Sequence, residues 1–537
     1  MCVQSCLHRP DLQHLRRKHP LRKSVVAGRF SITALALALA GLICADNSVA
    51  AARGGGSGPG ARESRPTAAR EPGRPHHVQK GPVERRPAHE ARRQPVHSPT
   101  ALGRLRRGDA RPTGLARNGL PVRPFPGEAG FTGVPPRGET RFVPDEMIVR
   151  VGAGVRRQTL AAATRRFGLT LISSQNLAFV GGTLFHFRIG AGRQVEDVIR
   201  AFETQSIGIA QPNYLFDLQE DARTPATQPT GDPAQYAVSK LNLIEAHHIS
   251  IGNYVMVAII DSRIDAGHPD LRGSIADADR FNVAGRPQDQ PDKHGTAMAS
   301  AIVAHGTLLG VAPRARILAI QAFATNAQSP RAATPNIIAG IDWAITRGAR
   351  VINMSFAGPY DPMLQVALKK AHDKGVILVA AAGNMGPDSP PQYPAADENV
   401  IAVTAIDKND RLLPRANQGP HIALAAPGVD IFEATPNASY DFTTGTSVAA
   451  AHVSGVAALL IERAPEIDSA TLENILFSTA KDLGPPGRDS QFGFGLVDPY
   501  RALNVLAAKV AAKGASLPAF TPPPAPATVR PPQTPRN

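Results

Sequence analysis

Val255-Met256-Val257-Ala258-Ile259-Ile260-Asp261 is an unbroken apolar run closed by a carboxylate. A strand with one wet face alternates apolar and polar residues, whereas an uninterrupted run marks a strand buried on both faces. Four more runs of this kind follow, at Ile317 to Phe323, Val351 to Ser355, Val376 to Ala382 and Val400 to Ile406. Between them, Asn336 to Thr346 and Leu364 to Asp373 have helical composition. Strands alternating with helices predict an α/β fold: a mostly parallel sheet between two helical layers, over residues 236–514.

Upstream, the pattern changes. Glu146 to Val151 and Thr183 to Ile189 alternate like half-buried strands, and Gly208 to Tyr214 closes the unit. Thr159 to Phe167 is helical in composition, and Val195, Ile199 and Phe202 share one helix face. This β-α-β-α-β order, at the least, predicts a small α+β unit of ferredoxin-like type over 141–217. Residues 218–235, with Pro225, Pro229 and Pro233, read as a linker. Residues 515–537 are a Pro-rich tail expected to be disordered.

Charge separates the ends from the middle. The 537 residues carry 59 Lys/Arg and 44 Asp/Glu. Residues 1–140 hold 24 of the basic and nine of the acidic groups, leaving 35 of each in 141–537. The folded part is therefore formally neutral, which argues against specific nucleic-acid binding. Residues 53–140 are rich in Arg, Pro, Gly and Ala, a composition that cannot bury enough apolar surface to offset chain entropy. This basic arm reads as a disordered spacer, with weak contact to polyanions or the cell envelope as the alternative. In residues 1–52, Arg16 to Lys23 precede the apolar run Ser31 to Cys44, which is short for a membrane span. That pattern predicts an export signal, with an uncleaved anchor as the alternative, and hence a periplasmic or secreted protein. All three cysteines lie at or before Cys44, so no disulfide framework, cysteine-zinc site or cysteine nucleophile serves the rest of the chain.

Ligands of open parallel sheets bind beyond the C-terminal strand ends, so the polar residues there are the candidates. Asp261 ends the first run; a carboxylate there can orient a histidine, bind a metal or hold a ribose. His294 opens the small-residue stretch His294-Gly295-Thr296-Ala297-Met298-Ala299. Asn384 follows the run ending at Ala382, either as a turn residue or as an amide donor aimed at an oxyanion. Ser447 begins an almost wholly apolar segment reaching Leu460, as a helix cap or as a nucleophile at a helix N-terminus.

Taken together and in this order, the four segments resemble the subtilisin-like serine protease (subtilase) family. His268-Pro269-Asp270-Leu271, Gly310-Val311-Ala312-Pro313, Asn353-Met354-Ser355 and Ala425-Ala426-Pro427-Gly428 support the resemblance. Residues 141–217, ending in Gln211-Pro212-Asn213-Tyr214, resemble the family's inhibitory propeptide. The resemblance implies a serine endopeptidase acting on proteins or peptides, with its own prodomain as partner in cis. It makes Ser447 the nucleophile, His294 the general base and acid, and Asp261 the group that orients His294. It puts Asn384 and the Ser447 N–H in the oxyanion hole. It gives Ser355, Phe356, Ala357 and Gly358 to the substrate backbone as an extra strand. Gln392, before Tyr393-Pro394, falls at the base of the first specificity pocket, where a side chain pointing inward favours small or polar residues. Self-cleavage is expected between Phe216 and Pro233.

The chain departs from the family pattern at Arg263, Ala297-Met298, Ala357-Gly358 and Ala451, none of them a reacting group. No cofactor or metal is expected; Gly295 to Leu309 contains no Asp, Glu or Asn to build a calcium loop. The alternative reading is a catalytically weak, protease-like binding module of the envelope. An esterase uses the same machinery.

Overall fold

The computed structural model describes residues 116–121, 123–126, 128, 130–219, 235–281, 290–324 and 330–515. The signal-like segment, the arm up to residue 115, most of the linker and the tail from 516 lie outside the described residues.

The α+β unit runs β1 (Phe142–Val151), α1 (Arg157–Arg166), β2 (Leu169–Asn176), β3 (Thr183–Ile189), α2 (Val195–Glu203) and β4 (Ile209–Leu218). Its strands pair antiparallel in the order β4-β1-β3-β2, the split βαβ arrangement. The alternating residues Met147, Val149 and Val151 face Val198, Ile199 and Phe202 of α2, which seals one side of this sheet. β2 adds a strand to the sequence reading. It is an edge strand, with Leu171 and Ile172 exposed and a register shift between Leu171 and Ser173, so its alternation is broken.

The α/β unit begins with two single-turn helices, α3 (Tyr236–Lys240) and α4 (Leu243–His247). It continues β5 (Met256–Asp261), β6 (Ile275–Arg280), α5 (Lys293–Val303), β7 (Arg316–Gln321), β8 (Arg331–Ala333), α6 (Thr334–Thr346), β9 (Val351–Met354), β10 (Phe356–Ala357) and α7 (Pro362–Asp373). Then follow β11 (Ile377–Ala381), β12 (Ile401–Ile406), β13 (Ile422–Pro427), a hairpin of β14 (Ile431–Thr435) and β15 (Ser439–Thr443), α8 (Thr446–Arg463), α9 (Ser469–Thr479) and α10 (Pro499–Ala515). Seven strands form one parallel sheet in the order β13-β12-β11-β9-β5-β7-β6.

The unbroken apolar runs have a direct physical cause. In β5, Val257 and Ile259 pack with α5 and α8 on one face, while Ala258 and Ile260 pack with α6 and α7 on the other. Neither face reaches water, so neither selects polar residues. Strand order reverses between β5 and β9, and the crevice beyond their C-terminal ends is where such a sheet presents its site.

The two units share a core. Ile148, Leu177, Tyr214 and Phe216 of the α+β unit are buried among residues of α6 and α7. The Asp342 carboxylate of α6 accepts the N–H groups of Ala178, Phe179 and Val180, at 2.9, 2.7 and 2.7 Å. Lys370 Nζ donates to the Val180 carbonyl at 2.6 Å, and Gln211 Nε2 donates to Asp361 Oδ1 at 2.8 Å. The described residues between 116 and 140, read as part of the arm, also lie against the folded body: the side chain of Asn118 bonds the Ala396 carbonyl, and Phe125 packs on the shared core. The few aromatic and polar anchors of this stretch hold it despite its Pro-rich composition.

Candidate active site

β5 ends on Asp261, which is fully buried. Its Oδ1 accepts the Ser262 N–H at 2.7 Å and faces His294 Nδ1 at 2.8 Å. A carboxylate only accepts, so Nδ1 carries the proton and Nε2 is left as an acceptor. Nε2 lies 3.1 Å from Ser447 Oγ. Asp261, His294 and Ser447, 33 and 153 residues apart along the chain, thus form one hydrogen-bonded series.

α5 delivers His294 from its first turn. Asp292 caps this helix, accepting the His294 N–H at 2.9 Å. Ser262 Oγ lies 2.9 Å from the same Asp292 Oδ1 and accepts the Gly295 N–H at 3.0 Å, tying the strand end to the helix start. A Cβ on Gly295 would meet the Ser262 carbonyl oxygen at 2.5 Å, so only glycine lets the helix come this close. Burial raises the Asp292 pKa, opposed by its bonds to His294 N–H and Ser262.

Ser447 is the second residue of α8, where backbone N–H groups have no partner within the helix. Beside it stands Asn384, just past β11. Thr446 N–H and Oγ1 both donate to Asn384 Oδ1, at 3.1 and 3.0 Å, which turns its Nδ2 outward. Sequence reading passed over Thr446, Ser262 and Asp292; of these, only the helix cap at Asp292 left a recognisable signal, an Asp directly before the first helical residue.

The space between these groups is filled by the chain itself. β4 runs on past Tyr214 and enters the crevice antiparallel to two short strands. Leu215 to Asp217 pair with β8, and Asp217 and Leu218 pair with β10. Gln219, which follows, donates its N–H to the Ser355 carbonyl at 3.3 Å. Its carbonyl oxygen lies 2.5 Å from Ser447 Oγ and accepts from Asn384 Nδ2 at 3.0 Å. A Cβ on Gly445 would sit 2.8 Å from that oxygen, so glycine keeps the space open.

Ser355, Phe356 and Ala357 therefore meet the backbone of β4 and Gln219, whereas Gly358 exchanges both backbone bonds with Tyr393, at 2.8 and 3.0 Å. Gly358 also makes room for Phe216, whose ring would lie 2.3 Å from an added Cβ. Phe216 packs edge-on to Phe356 at 5.8 Å between ring centroids. Gln392 is buried, with Oε1 accepting from Arg141 Nη1 at 2.7 Å and Nε2 donating to the Pro390 carbonyl at 2.7 Å. Its amide is thus satisfied on the side of Arg141. Among the described residues, no cluster of three or more His, Cys, Asp or Glu is arranged to hold a metal ion.

The subtilase family model matches residues 252–495, a span containing all four chemical groups. Subtilisin DY of Bacillus licheniformis is 34% identical over 281 residues, covering 49% of this chain and 98% of that protein. The chain belongs to the subtilase family. The thermophilic serine proteinase of Bacillus sp. (strain AK1) is 31% identical over 371 residues, covering 67% of this subtilase and 88% of that protein. The crystal structure of fervidolysin from Fervidobacterium pennivorans, described as a keratinolytic enzyme related to subtilisin, matches with a TM-score of 0.58 at 25% identity, over 70% of this chain and 62% of that one. This subtilase is a subtilisin-like serine endopeptidase with the α/β fold of its relatives.

Proposed function

We propose that this subtilase is made as an exported proenzyme that hydrolyses peptide bonds through Ser447, His294 and Asp261, and that its first substrate is its own Gln219–Glu220 bond. The observation that carries the reading is the Gln219 carbonyl oxygen, held between Ser447 Oγ and Asn384 Nδ2 at the end of a substrate-like strand. Ser447 Oγ bonds to the Gln219 carbonyl carbon while His294 Nε2 takes the hydroxyl proton. The developing oxyanion keeps the Asn384 Nδ2 bond and gains the Ser447 N–H, in a site already ordered for it. Asp261 holds the imidazole in the required tautomer and stabilises the imidazolium. The C–N bond then breaks, and His294 returns the proton to the Glu220 amine. Water, deprotonated by the same imidazole, hydrolyses the acyl-enzyme and frees a fragment ending at Gln219.

Residues 142–219 act as the inhibitory prodomain in cis: they fill the cleft, and Asp342, Lys370 and Asp361 grip them away from it. Protein substrates then lie as β4 does, between β8 and β10, with an aromatic or large apolar residue in the Phe216 position, three before the residue whose carbonyl is attacked. If the Gln392 side chain turns into the first pocket once Arg141 has left, Gln392→Gly raises kcat/KM for large apolar residues by roughly 10–200-fold. Equal preferences in both proteins would remove Gln392 from the specificity pocket. The basic region and apolar run before residue 45 support export; among the described residues no helix is long and apolar enough to cross a membrane.

A fluorophosphonate probe, which reacts only with an activated serine, tests the nucleophile. Wild type labels and Ser447→Ala does not. A His294→Ala protein with near-wild-type peptidase activity would sink the mechanism.

A further inference from the structure

Residues 116–121 and 123–126 precede the prodomain, yet they dock on the catalytic unit outside the cleft. Arg123 lays its guanidinium over the Tyr360 ring, with Cζ 4.4 Å from the centroid, and lines one hollow together with Tyr360 and Tyr393. Tyr360 and Tyr393 meet edge to face at 5.2 Å, forming the aromatic wall that receives it. Asn118 Nδ2 donates to the Ala396 carbonyl at 2.8 Å, and Asn118 Oδ1 turns back to accept the Leu120 N–H at 3.3 Å. Gly119, with φ at +78°, passes so close to Pro420 that a Cβ would lie 2.8 Å from the proline side chain. Arg117 reaches Glu473 at 3.6 Å. The strap then crosses to the prodomain, where Gly133 N–H donates to Glu203 Oε1 at 2.6 Å. Asp397 and Glu398 line the same hollow as Arg123, so the surface is acidic and aromatic where the strap is basic.

We infer that this face, built by Tyr360, Tyr393, Ala396 and Glu473, is a docking site for the strap, and that it retains the N-terminal fragment after Gln219–Glu220 is cut. The inference rests on the proenzyme reading above. Cutting that bond separates the fragment covalently but leaves two independent attachments: the prodomain in and beside the cleft, and the strap on the far side of Tyr393. An inhibitor held at two joined sites leaves more slowly than one held at either, because the second site is re-engaged at high effective concentration. Activity therefore lags behind cleavage, and the strap sets part of the lag.

The full chain tests this with Arg123→Ala alone and with Arg117→Ala and Asn118→Ala added. Mass spectrometry follows the cut and a fluorogenic peptide follows activity. Cleavage is expected to keep its wild-type rate, while the interval from cleavage to half-maximal activity shortens on the order of tenfold in the triple variant, as loss of a cation–π contact and two polar contacts implies. An unchanged interval overturns the inference. A second measurement is independent of cleavage. In the uncut Ser447→Ala chain, hydrogen exchange at the Gly119 and Leu120 amides is slow, and adding Arg123→Ala speeds it at least tenfold. Equal exchange in both shows that the strap is not docked. Failure to cut at Gln219 with protected strap amides would instead count against the proenzyme reading and leave the docking site standing.

Discussion

Asn384 is the residue whose job depends most on its neighbours. Its Nδ2 faces the Gln219 carbonyl because Thr446 occupies its Oδ1. Asn384→Ala should fold and lose roughly 10²–10³-fold in kcat, the size known for removing one such donor in subtilisin. Thr446→Val keeps the backbone bond and loses the hydroxyl, so kcat should fall roughly 3–10-fold with KM unchanged. Steady-state kinetics on one peptide check both; a Thr446→Val enzyme with altered KM and normal kcat would contradict the orienting role. Glu433 is a separate case. It is buried on β14, bonded by Ser300 of α5, and burial pushes its pKa up to about 8 from an ordinary 4.5. Between those pH values the unfolded chain releases the proton and the folded chain keeps it. The stabilisation is full below about 4.5 and is lost as pH rises through about 8. Glu433→Gln has no proton to lose, so in the Ser447→Ala background its melting temperature should fall less from pH 5 to 8.5. Equal falls in the two proteins would contradict the assignment.

Helix α5 works through its first turn. Asp292 caps it, and Ser262 bridges cap and strand, so the imidazole position follows from how the helix begins. Asp292→Ala should cost about 0.5–2 kcal/mol, the range for loss of a helix cap, and should lower kcat as His294 loosens. Calorimetry and kinetics on the same preparation check it, and a loss of stability with full kcat would separate the cap from catalysis. The five central strands were legible because both their faces are buried, which forces continuous apolar runs. The edge strands were not. β6 reads Ile-Ala-Asp-Ala-Asp-Arg, and the exposed Leu171 and Ile172 of β2 sit on a register shift. An edge strand has fewer neighbours to dictate its pattern. Asp261, His294, Asn384 and Ser447, which the structure brings together, were legible as candidates because the proposed chemistry allows so few substitutes at each; Thr446, Ser262 and Asp292 hold them with ordinary hydrogen bonds that many residues can make.

At the scale of the whole molecule, the placement of β4 governs the account. It begins as the edge strand of the α+β sheet and ends in the crevice paired with β8 and β10, so one strand belongs to two units. Sequence placed the unit's end at 217 and the linker at 218, because Asp217, Gln219 and Glu220 are polar and prolines follow. What orders Gln219 is the partner surface of Ser355, Asn384 and Ser447, which no local pattern around residue 219 encodes. The same holds for the strap at 116–126, whose anchors Tyr360 and Tyr393 are more than two hundred residues away. In the proposed reading, both attachments set when activity appears once one bond has been cut by one serine. Mass spectrometry of purified wild type and Ser447→Ala, incubated side by side, tests this most directly. A new N-terminus at Glu220 is expected in the wild type and an uncut Gln219–Glu220 bond in Ser447→Ala; the same processed N-terminus in both proteins would rule out self-cleavage by Ser447.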